Sequence, residues 1–135
     1  MRHVLKLATA LACLATAADA KVFEGGWTIG FERGPDHVLA GSACYVFFNT
    51  GAVAGFPDSG NWRSNSGESG NFVYDNGVLR FYGTYNSGFD AITAYATITD
   101  FKSGVGGYSN WFTGSAPLTP IDDGILGMGH GCAGG

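Results

Sequence analysis

The sequence predicts an all-β fold, a small antiparallel β-barrel or β-sandwich of about seven or eight strands with one disulfide. Three observations support this prediction. Apolar and polar residues alternate with a period of two in several segments, glycine-rich stretches separate those segments, and no segment shows the 3.6-residue period of an amphipathic helix. Short strands at this spacing are typical of a sandwich or barrel.

The composition fits a single folded domain. The chain has 135 residues, a length that corresponds to one domain. Glycine is abundant, with 23 residues, but 45% of the chain is hydrophobic and 14% is aromatic, so the chain has enough apolar side chains to form a core. Only 13% of the residues are charged and the net charge is -4, which argues against a nucleic-acid-binding surface.

The first twenty residues are predicted to be a secretory signal peptide. Arg2 and Lys6 precede an apolar stretch over residues 7–18, and Ala18-Asp19-Ala20 fits a small-x-small cleavage site. This stretch is shorter than the ~20 residues that a membrane-spanning helix needs, and no later segment is long and apolar enough to span. We therefore expect a secreted or periplasmic protein, cleaved after Ala20, with one β domain over residues 21–135.

Cysteine usage predicts one structural disulfide. Cys13 is removed with the signal peptide, which leaves Cys44 and Cys132. An even pair in an exported chain is typical of a disulfide. The alternative is a reactive or metal-binding thiol, but no His or Cys lies nearby at metal-ligand spacing. The disulfide would tie the glycine-rich C-terminal tail to a strand near the N-terminus.

Two strands are predicted in the first part of the domain. Trp27, Ile29 and Phe31 alternate with polar or small residues along the first strand. The second strand covers Ala43–Asn49 and is apolar on both faces, so we expect it to be central and well covered. A short strand over Ala52–Gly55 follows, and then a loop over residues 56–60, because proline cannot donate a hydrogen bond within a central ladder.

The clearest local signal is a β-hairpin over residues 71–85. Asn76-Gly77 suits a two-residue type I′ turn, in which both central positions need positive φ. This turn pairs the strands so that four large side chains share one face: Phe72, Tyr74, Leu79 and Phe81. The turn chemistry and the hydrophobic pattern thus predict the same register.

The C-terminal part is predicted to contain two further strands and an irregular tail. Ala91–Asp100 alternates between small apolar and polar residues, with Ile92, Ala94, Ala96 and Ile98 facing inward. Residues 103–107 are expected to form a flexible glycine-rich turn, and Tyr108–Thr113 the last regular strand. Because of Pro117 and Pro120, residues 115–135 are expected to form an irregular, glycine-rich tail.

No arrangement of nucleophile and base is evident. His37 and His130 are most simply solvated loop histidines. Ser59 could be combined with a histidine and an aspartate, but the strand–elbow–helix pattern around Gly-x-Ser-x-Gly is missing. Four acidic residues could supply the paired carboxylates of glycoside hydrolysis, although solvated loops and strand edges explain them more simply: Glu24, Glu32, Glu68 and Asp90.

The sequence implies no metal and no cofactor. Asp122-Asp123-Gly124 lacks the alternating oxygen ligands of a calcium loop, and a turn with an aspartate cap explains it better. The glycines do not lead from a strand into a helix, as a phosphate-binding loop requires. We therefore assign no catalytic residue. The composition favours a protein that is not an enzyme, without deciding the question.

Aromatic side chains are the candidate ligand-binding groups. Tyr and Trp on a rigid β surface offer stacking area to sugars or protein partners. Trp62 lies beside a polar loop, Tyr82 and Tyr95 fall on outward-facing positions, and the face of Trp111 is ambiguous. The alternative is that these rings form the core or the second face of a two-layer fold.

Gly25-x-Trp27 in the first strand resembles the opening motif of calycin-type barrels, which include lipocalins, avidin-like proteins and the small secreted bacterial inhibitors of metalloproteases. The length, the secretion signal, the single disulfide and the meandering strands are similar to the inhibitor group. The disulfide between Cys44 and Cys132 would span more chain than the short one expected of those inhibitors. The resemblance covers a handful of positions, and no functional residue is carried over from it.

Two functions from different classes follow. The first is a secreted, non-catalytic binding module for a protein or carbohydrate ligand, with inhibition as one form of binding. The second is a structural or envelope-associated protein without a small-molecule site, which would assemble through an open sheet edge. The sequence leaves the ligand and the oligomeric state open.

Overall fold

Eight antiparallel strands follow one another around a closed barrel in the computed structural model, which describes residues 22–85, 90–114 and 118–132. The strands are β1 Gly25–Arg33, β2 Val38–Asn49, β3 Ser59–Ser64, β4 Ser69–Asp75, β5 Val78–Tyr85, β6 Asp90–Thr99, β7 Ser103–Phe112 and β8 Thr119–His130. The predicted signal peptide, residues 1–20, lies outside the described residues. No helix in the described part of the chain is long and apolar enough to cross a membrane.

The barrel closes because β1 pairs with strands from both ends of the chain. Trp27 pairs with Tyr45 of β2 on one side and with His130 of β8 on the other. Closure gives each strand a partner along both edges over part of its length. The predicted all-β fold is confirmed, and of the two predicted architectures the structure is the barrel.

Side chains that alternate along the strands fill the interior. The predicted inward faces of β1 and β6 are confirmed: Ile29 and Ala96 are fully buried. The core is largely aromatic, and its largest fully buried side chains include Trp27, Trp62, Tyr45, Phe47, Phe72 and Phe81. An eight-stranded barrel has an interior just wide enough for side chains to fill or for one small ligand.

The hairpin of β4 and β5 has the predicted register. Tyr74 pairs with Leu79 and Phe72 with Phe81. Asn76 and Gly77 have φ values of 51° and 78°, as a type I′ turn requires.

The chain between β2 and β4 differs from the prediction. Ala52–Gly55 is a turn rather than a strand, because Gly51 and Gly55 adopt positive φ and bend the backbone. The strand lies instead at β3, whose first two residues belong to the predicted loop over residues 56–60. Ser59, its first residue, is fully buried, and its hydroxyl donates to the Phe56 carbonyl at 2.6 Å, so it serves the fold rather than catalysis.

The C-terminal predictions require two corrections. Residues 103–107 are part of β7 rather than a turn; the turn is formed by Asp100 and Phe101, with φ values of 54° and 52°. The predicted irregular tail over residues 115–135 is wrong in its central part, where β8 pairs with both β7 and β1. Pro120 is accommodated near the start of β8, beside a register shift in β7.

The predicted disulfide between Cys44 and Cys132 is present, and it joins residues separated by 88 positions. After β8 the chain crosses the outside of β1, where the Gly131 amide donates to the Gly26 carbonyl at 2.9 Å. A β-carbon at Gly26 would overlap the carbonyl oxygen of Cys132, so only glycine lets the chain pass this closely. The disulfide therefore fastens the end of the chain over the seam between β1 and β8.

The two ends of the barrel differ. We call one the closed end, because the segment 22–24 before β1 crosses it and the Phe23 ring lies fully buried there, stacked on Trp27 at 5.0 Å. We call the other the mouth. It is bordered by the β1–β2 and β3–β4 turns and by the beginning of β8.

Candidate functional site

The mouth contains a cavity of about 400 Å³, within the range of small-ligand sites. The cavity arises because the strands have unequal lengths. β3 ends at Ser64, which pairs with Tyr45, so residues 38–43 of β2 extend beyond the last β3 pair. Both Ser42, which is exposed, and Ala43, which packs against the core, line the cavity. The cavity therefore reaches from the barrel interior to the free edge of β2.

One wall of the mouth is organised around Glu68 in the β3–β4 turn. Its Oε1 accepts hydrogen bonds from the Tyr45 hydroxyl at 2.6 Å and from the Ser66 hydroxyl at 2.9 Å. The Ser64 hydroxyl lies 3.4 Å from the same oxygen and accepts from the Glu68 amide at 3.1 Å. Charge-assisted hydrogen bonds of this kind fix a carboxylate in one orientation. Glu68 is thus a held acceptor rather than a freely solvated side chain.

The turn that carries Glu68 is itself tied to β2. The Asn65 amide donates to the Cys44 carbonyl at 3.0 Å, and the Cys44 amide donates to Asn65 Oδ1 at 3.1 Å. Asn65 thereby forms the two hydrogen bonds to Cys44 that a further β3 residue would form, with its side-chain oxygen as the acceptor. This arrangement positions the turn against β2 just where strand pairing stops.

The opposite wall is organised around Asp122 near the start of β8. Asn110 Nδ2 donates to Asp122 Oδ1 at 2.9 Å, and the Tyr108 hydroxyl lies 3.3 Å from Oδ2. Burial, followed by the charge of Asp122, raises the pKa of Tyr108 to about 12. The phenol is therefore held as a hydrogen-bond donor at all physiological pH values.

Asn110 Oδ1 is a buried acceptor without a hydrogen-bond partner among the described residues. Its side chain lines the mouth. Buried polar atoms in native proteins nearly always have a partner, because an unpaired one costs free energy. A hydrogen-bond donor of a ligand on the β7 side of the mouth would give Asn110 Oδ1 a partner.

Aromatic rings form the inner end of the cavity. The Phe31 ring lies between two tyrosine rings, 4.9 Å from that of Tyr108 and 6.0 Å from that of Tyr45. Ile92 and Ala43 complete the apolar part of the lining. The mouth thus combines an apolar inner end with polar groups nearer the solvent, the usual arrangement of a small-molecule site.

A second cavity, of about 520 Å³, lies at the closed end and is a weaker candidate. Its lining includes two acidic and two basic side chains: Glu24, Asp100, Lys102 and His130. His130 also packs edge-on against Trp27 at 5.0 Å. No hydrogen bond between these four side chains organises the cavity, whereas both carboxylates of the mouth are held. His37 is exposed in the β1–β2 turn, so neither histidine reaches the mouth.

No metal site is evident in the described ranges, where no three His, Cys, Asp or Glu side chains are grouped to hold an ion. Glu32, on the outer face of β1, and Asp90, at the start of β6, do not line the mouth. Of the carboxylates considered from the sequence, Glu68 and Asp122 line the mouth.

The four aromatic candidates divide between the core and the outer surface. Trp62 is 2% exposed, and its Nε1 donates to the Asn71 carbonyl at 3.0 Å. The expectation of an accessible ring at this position is wrong, because Trp62 occupies an inward position of β3 and packs edge-on against Phe81 at 5.5 Å. Tyr82 and Tyr95 are 45% and 54% exposed, as predicted.

Trp111 alternates with the inward-facing Asn110 and so lies on the outer face of β7, half-buried. Tyr82, Tyr95 and Trp111 therefore share the outer face of three adjacent strands, and the Tyr95 ring lies over Gly107. Ligand binding at these three rings remains a prediction.

Sequence reasoning did not identify Tyr45, Tyr108 or Asn110 as site residues. Each belongs to an alternating strand pattern and is indistinguishable there from a core or surface residue. Glu68 was considered only as one of several acidic residues, and Asp122 only as a turn residue. The Ser64–Glu68 turn, with its closely spaced hydroxyls and one carboxylate, was the sole local signal.

The chain matches no known family model and no curated protein. The candidate site therefore rests on its own geometry.

Proposed function

We propose that this protein is a non-catalytic binding module whose ligand occupies the mouth of the barrel. The observation that carries the proposal is the convergence of two hydrogen-bonded carboxylates, from opposite walls, on one cavity of ligand size. Side chains that are already oriented lose little entropy when a ligand binds, so they favour affinity and specificity. The mouth of a small barrel is a common place for such a site.

Binding accounts for the mouth better than catalysis does. A catalytic pair needs a nucleophile or proton donor next to a base with a pKa suited to the reaction. Here the hydroxyl groups of Tyr45 and Ser66 are engaged by Glu68. Burial keeps Tyr108 protonated, which suits it to donate a hydrogen bond rather than to exchange a proton near neutral pH.

The structural alternative finds less support. Assembly through an open sheet edge requires a long strand with unpaired backbone groups. In this barrel β8 pairs with β1 over Trp27–Arg33, so the edge that an open sheet would leave at either end is closed. Among the described strands, short segments still extend beyond their last pair: residues 38–43 of β2, beside a register shift opposite Phe31 and Glu32, and the start of β8 before Gly124, which forms its last pair with β1.

Ligand mapping by nuclear magnetic resonance tests the proposal. The purified protein is titrated with a library of sugars, amino acids, amines, organic acids and short peptides, and amide shifts are followed. We expect ligands to shift the amides of Phe31, Ala43 and Ile92, at the mouth. Amides at the closed end, such as those of Tyr74 and Leu79, should be unchanged.

A filled cavity supplies the control. Ala43→Leu places a larger side chain in the mouth without removing a hydrogen bond, and we expect it to abolish the shifts while the fold is retained. Ala52→Leu, in the exposed loop after β2, makes the same change far from the mouth and should bind as the wild type does. Ligands that bind only at other surfaces, or equally well to Ala43→Leu, would overturn the proposal.

A further inference from the structure

We infer that the group received by the mouth is an organic cation, an ammonium or a guanidinium, joined to a short apolar body. This inference rests on the proposed function and names the chemistry of its ligand. It follows from three properties of the mouth: which hydrogen-bonding groups remain available, what charge the lining carries, and what lies at the inner end of the cavity.

Three hydroxyl donors of the mouth are engaged by its two carboxylates, whereas acceptors on the same walls remain. The hydroxyl hydrogens of Tyr45 and Ser66 are directed to Glu68 Oε1. That of Tyr108 is directed to Asp122. Glu68 Oε2 accepts no hydrogen bond from the described residues, and Asn110 Oδ1 has no partner. A ligand rich in N–H donors would satisfy these acceptors, whereas an acceptor-rich ligand would have to compete with the carboxylates for the three hydroxyl hydrogens.

The lining carries negative charge without a basic partner. Glu68 and Asp122 both line the cavity, and none of the described lining residues is Lys, Arg or His. Arg33, whose positive charge acts on Tyr108, is exposed at the end of β1 outside the lining. Two partly buried carboxylates repel an anionic ligand and attract a cation more strongly than the same pair would in bulk water.

The inner end of the cavity suits the rest of such a ligand. Phe31, Tyr45 and Tyr108 present adjacent aromatic rings. Aromatic faces attract ammonium and guanidinium groups and also contact aliphatic chains. A cation with a short aliphatic body therefore finds its charge, its N–H groups and its apolar part all matched within one cavity.

The cation could arrive as a free small molecule or as the side chain of a peptide. The cavity reaches the exposed position of Ser42 at the free edge of β2. The Cys44 amide and carbonyl point toward β3, because both form hydrogen bonds with Asn65. Backbone groups two residues apart in a strand point to the same side, so the amide and carbonyl of Ser42 also point toward the β3 side. An extended peptide could pair there while its basic side chain enters the mouth. The two sources share one chemistry and are separated by the experiment.

A matched series of probes tests the inference. At low ionic strength, n-butylguanidinium and n-butylammonium are compared with neutral n-butylurea and with anionic pentanoate, by calorimetry and by amide shifts at the mouth. We expect both cations to bind at least about tenfold more tightly than n-butylurea, pentanoate not to bind, and added salt to weaken the cations. Acetyl-Gly-Arg-Gly-amide then distinguishes the sources: tighter binding than n-butylguanidinium indicates a peptide, and equal or weaker binding a free molecule.

Charge-removing variants complete the test. Glu68→Gln and Asp122→Asn preserve shape, and each should weaken cation binding at least about tenfold. Asp75→Asn removes one exposed carboxylate at the closed end and should change the affinity less than about twofold. Equal binding of n-butylurea and the cations, no cation binding at all, or equal effects of the three variants would overturn the inference. A neutral ligand that binds in the mouth while the cations fail would leave the proposed function standing.

Discussion

Replacement of Phe23 by alanine should destabilise the whole barrel, although Phe23 precedes the first strand. The ring is 0% exposed, stacks on Trp27 at 5.0 Å and meets Phe47 edge-on at 5.0 Å. The Phe23 amide donates to Asp58 Oδ1 at 3.2 Å, and its carbonyl accepts from Asn49 Nδ2 at 3.1 Å. These contacts make Phe23 part of the core at the closed end rather than a mobile terminus.

The expected magnitude follows from burial. Truncation of a fully buried phenylalanine to alanine costs about 3–5 kcal/mol, because the transfer free energy of the ring is lost and a cavity remains. The total stability of a domain is about 5–15 kcal/mol, so this loss is a large fraction of it. Phe23→Leu keeps much of the volume and should cost clearly less than the alanine variant.

Urea denaturation followed by tryptophan fluorescence measures this effect, and Trp27 reports directly because it contacts the deleted ring. Val22→Ala is the matched control, since Val22 is the preceding residue and is 47% exposed; we expect a change within about 0.5 kcal/mol. A loss below about 1 kcal/mol for Phe23→Ala, with an unchanged unfolding slope, would refute the reasoning, because the segment would then be dispensable to the core.

Three further predictions concern titrating groups and glycines. Burial raises the pKa of Asp58 above its usual value of 3.8, so the stability that Asp58 contributes is greatest below pH 3.8 and is lost as the pH rises through the raised pKa. Urea unfolding at several pH values should show this loss of stability for the wild type and not for Asp58→Asn. The same pH profile in both proteins would contradict the prediction. Because the pKa of Tyr108 is raised from the usual 10.0 to about 12, its ionisation should appear late in an absorbance titration, and Asp122→Asn should move it to lower pH. No shift in the variant would show that Asp122 does not act on the phenol. Gly106→Ala would place a β-carbon against a carbonyl oxygen of β6 and should lower the free energy of unfolding by about 1–3 kcal/mol. The β-carbon of Gly127→Ala would meet open space, so this control should change the free energy of unfolding by less than about 0.5 kcal/mol. Equal urea unfolding midpoints for the two variants would refute the steric argument.

The sequence predicted the structure correctly where neighbouring residues alone determine the backbone conformation. Asn76-Gly77 specifies a turn that only a few residue pairs favour, and the alternation on either side specifies the same register. The β6–β7 turn illustrates the opposite case. Phe101 adopts positive φ, which its residue type disfavours, and its ring packs against Tyr74 at 5.7 Å. That contact comes from a distant strand, so the residues around the turn could not reveal it.

The last strand was missed for a related reason. β8 contains a proline, two aspartates and several glycines, all of which are depleted in strands. Its inward positions are nevertheless Leu126 and Met128, both buried, and its backbone pairs with β7 and β1. The segment forms a strand because it fills the gap between β7 and β1 and pairs with both. Barrel closure, rather than the strand propensity of its residues, therefore explains β8. The disulfide was predictable because it needed only an even pair of cysteines.

The mouth could not be predicted because it is assembled by closure. Glu68 lies in the β3–β4 turn, Tyr45 on β2, and Asp122 on a strand that the sequence did not reveal. Without β8 in place, nothing brings Asp122 to the same cavity as Glu68. The sequence therefore predicted the class of fold and most inward faces, whereas the candidate site required the order of strands around the barrel.

The contrast between the two ends explains how the barrel can hold partly buried carboxylates. Their desolvation disfavours folding, and the hydroxyl donors around them offset only part of that cost. At the closed end, Phe23, Phe47 and Phe72 pack with ring centroids 5.0–5.9 Å apart, and buried aromatic side chains of this kind dominate core stability. Because strand pairing runs continuously from one end to the other, stability generated at the closed end also maintains the geometry of the mouth. The aromatic end thus permits a polar arrangement that contributes little to folding and that, on our proposal, is retained for binding.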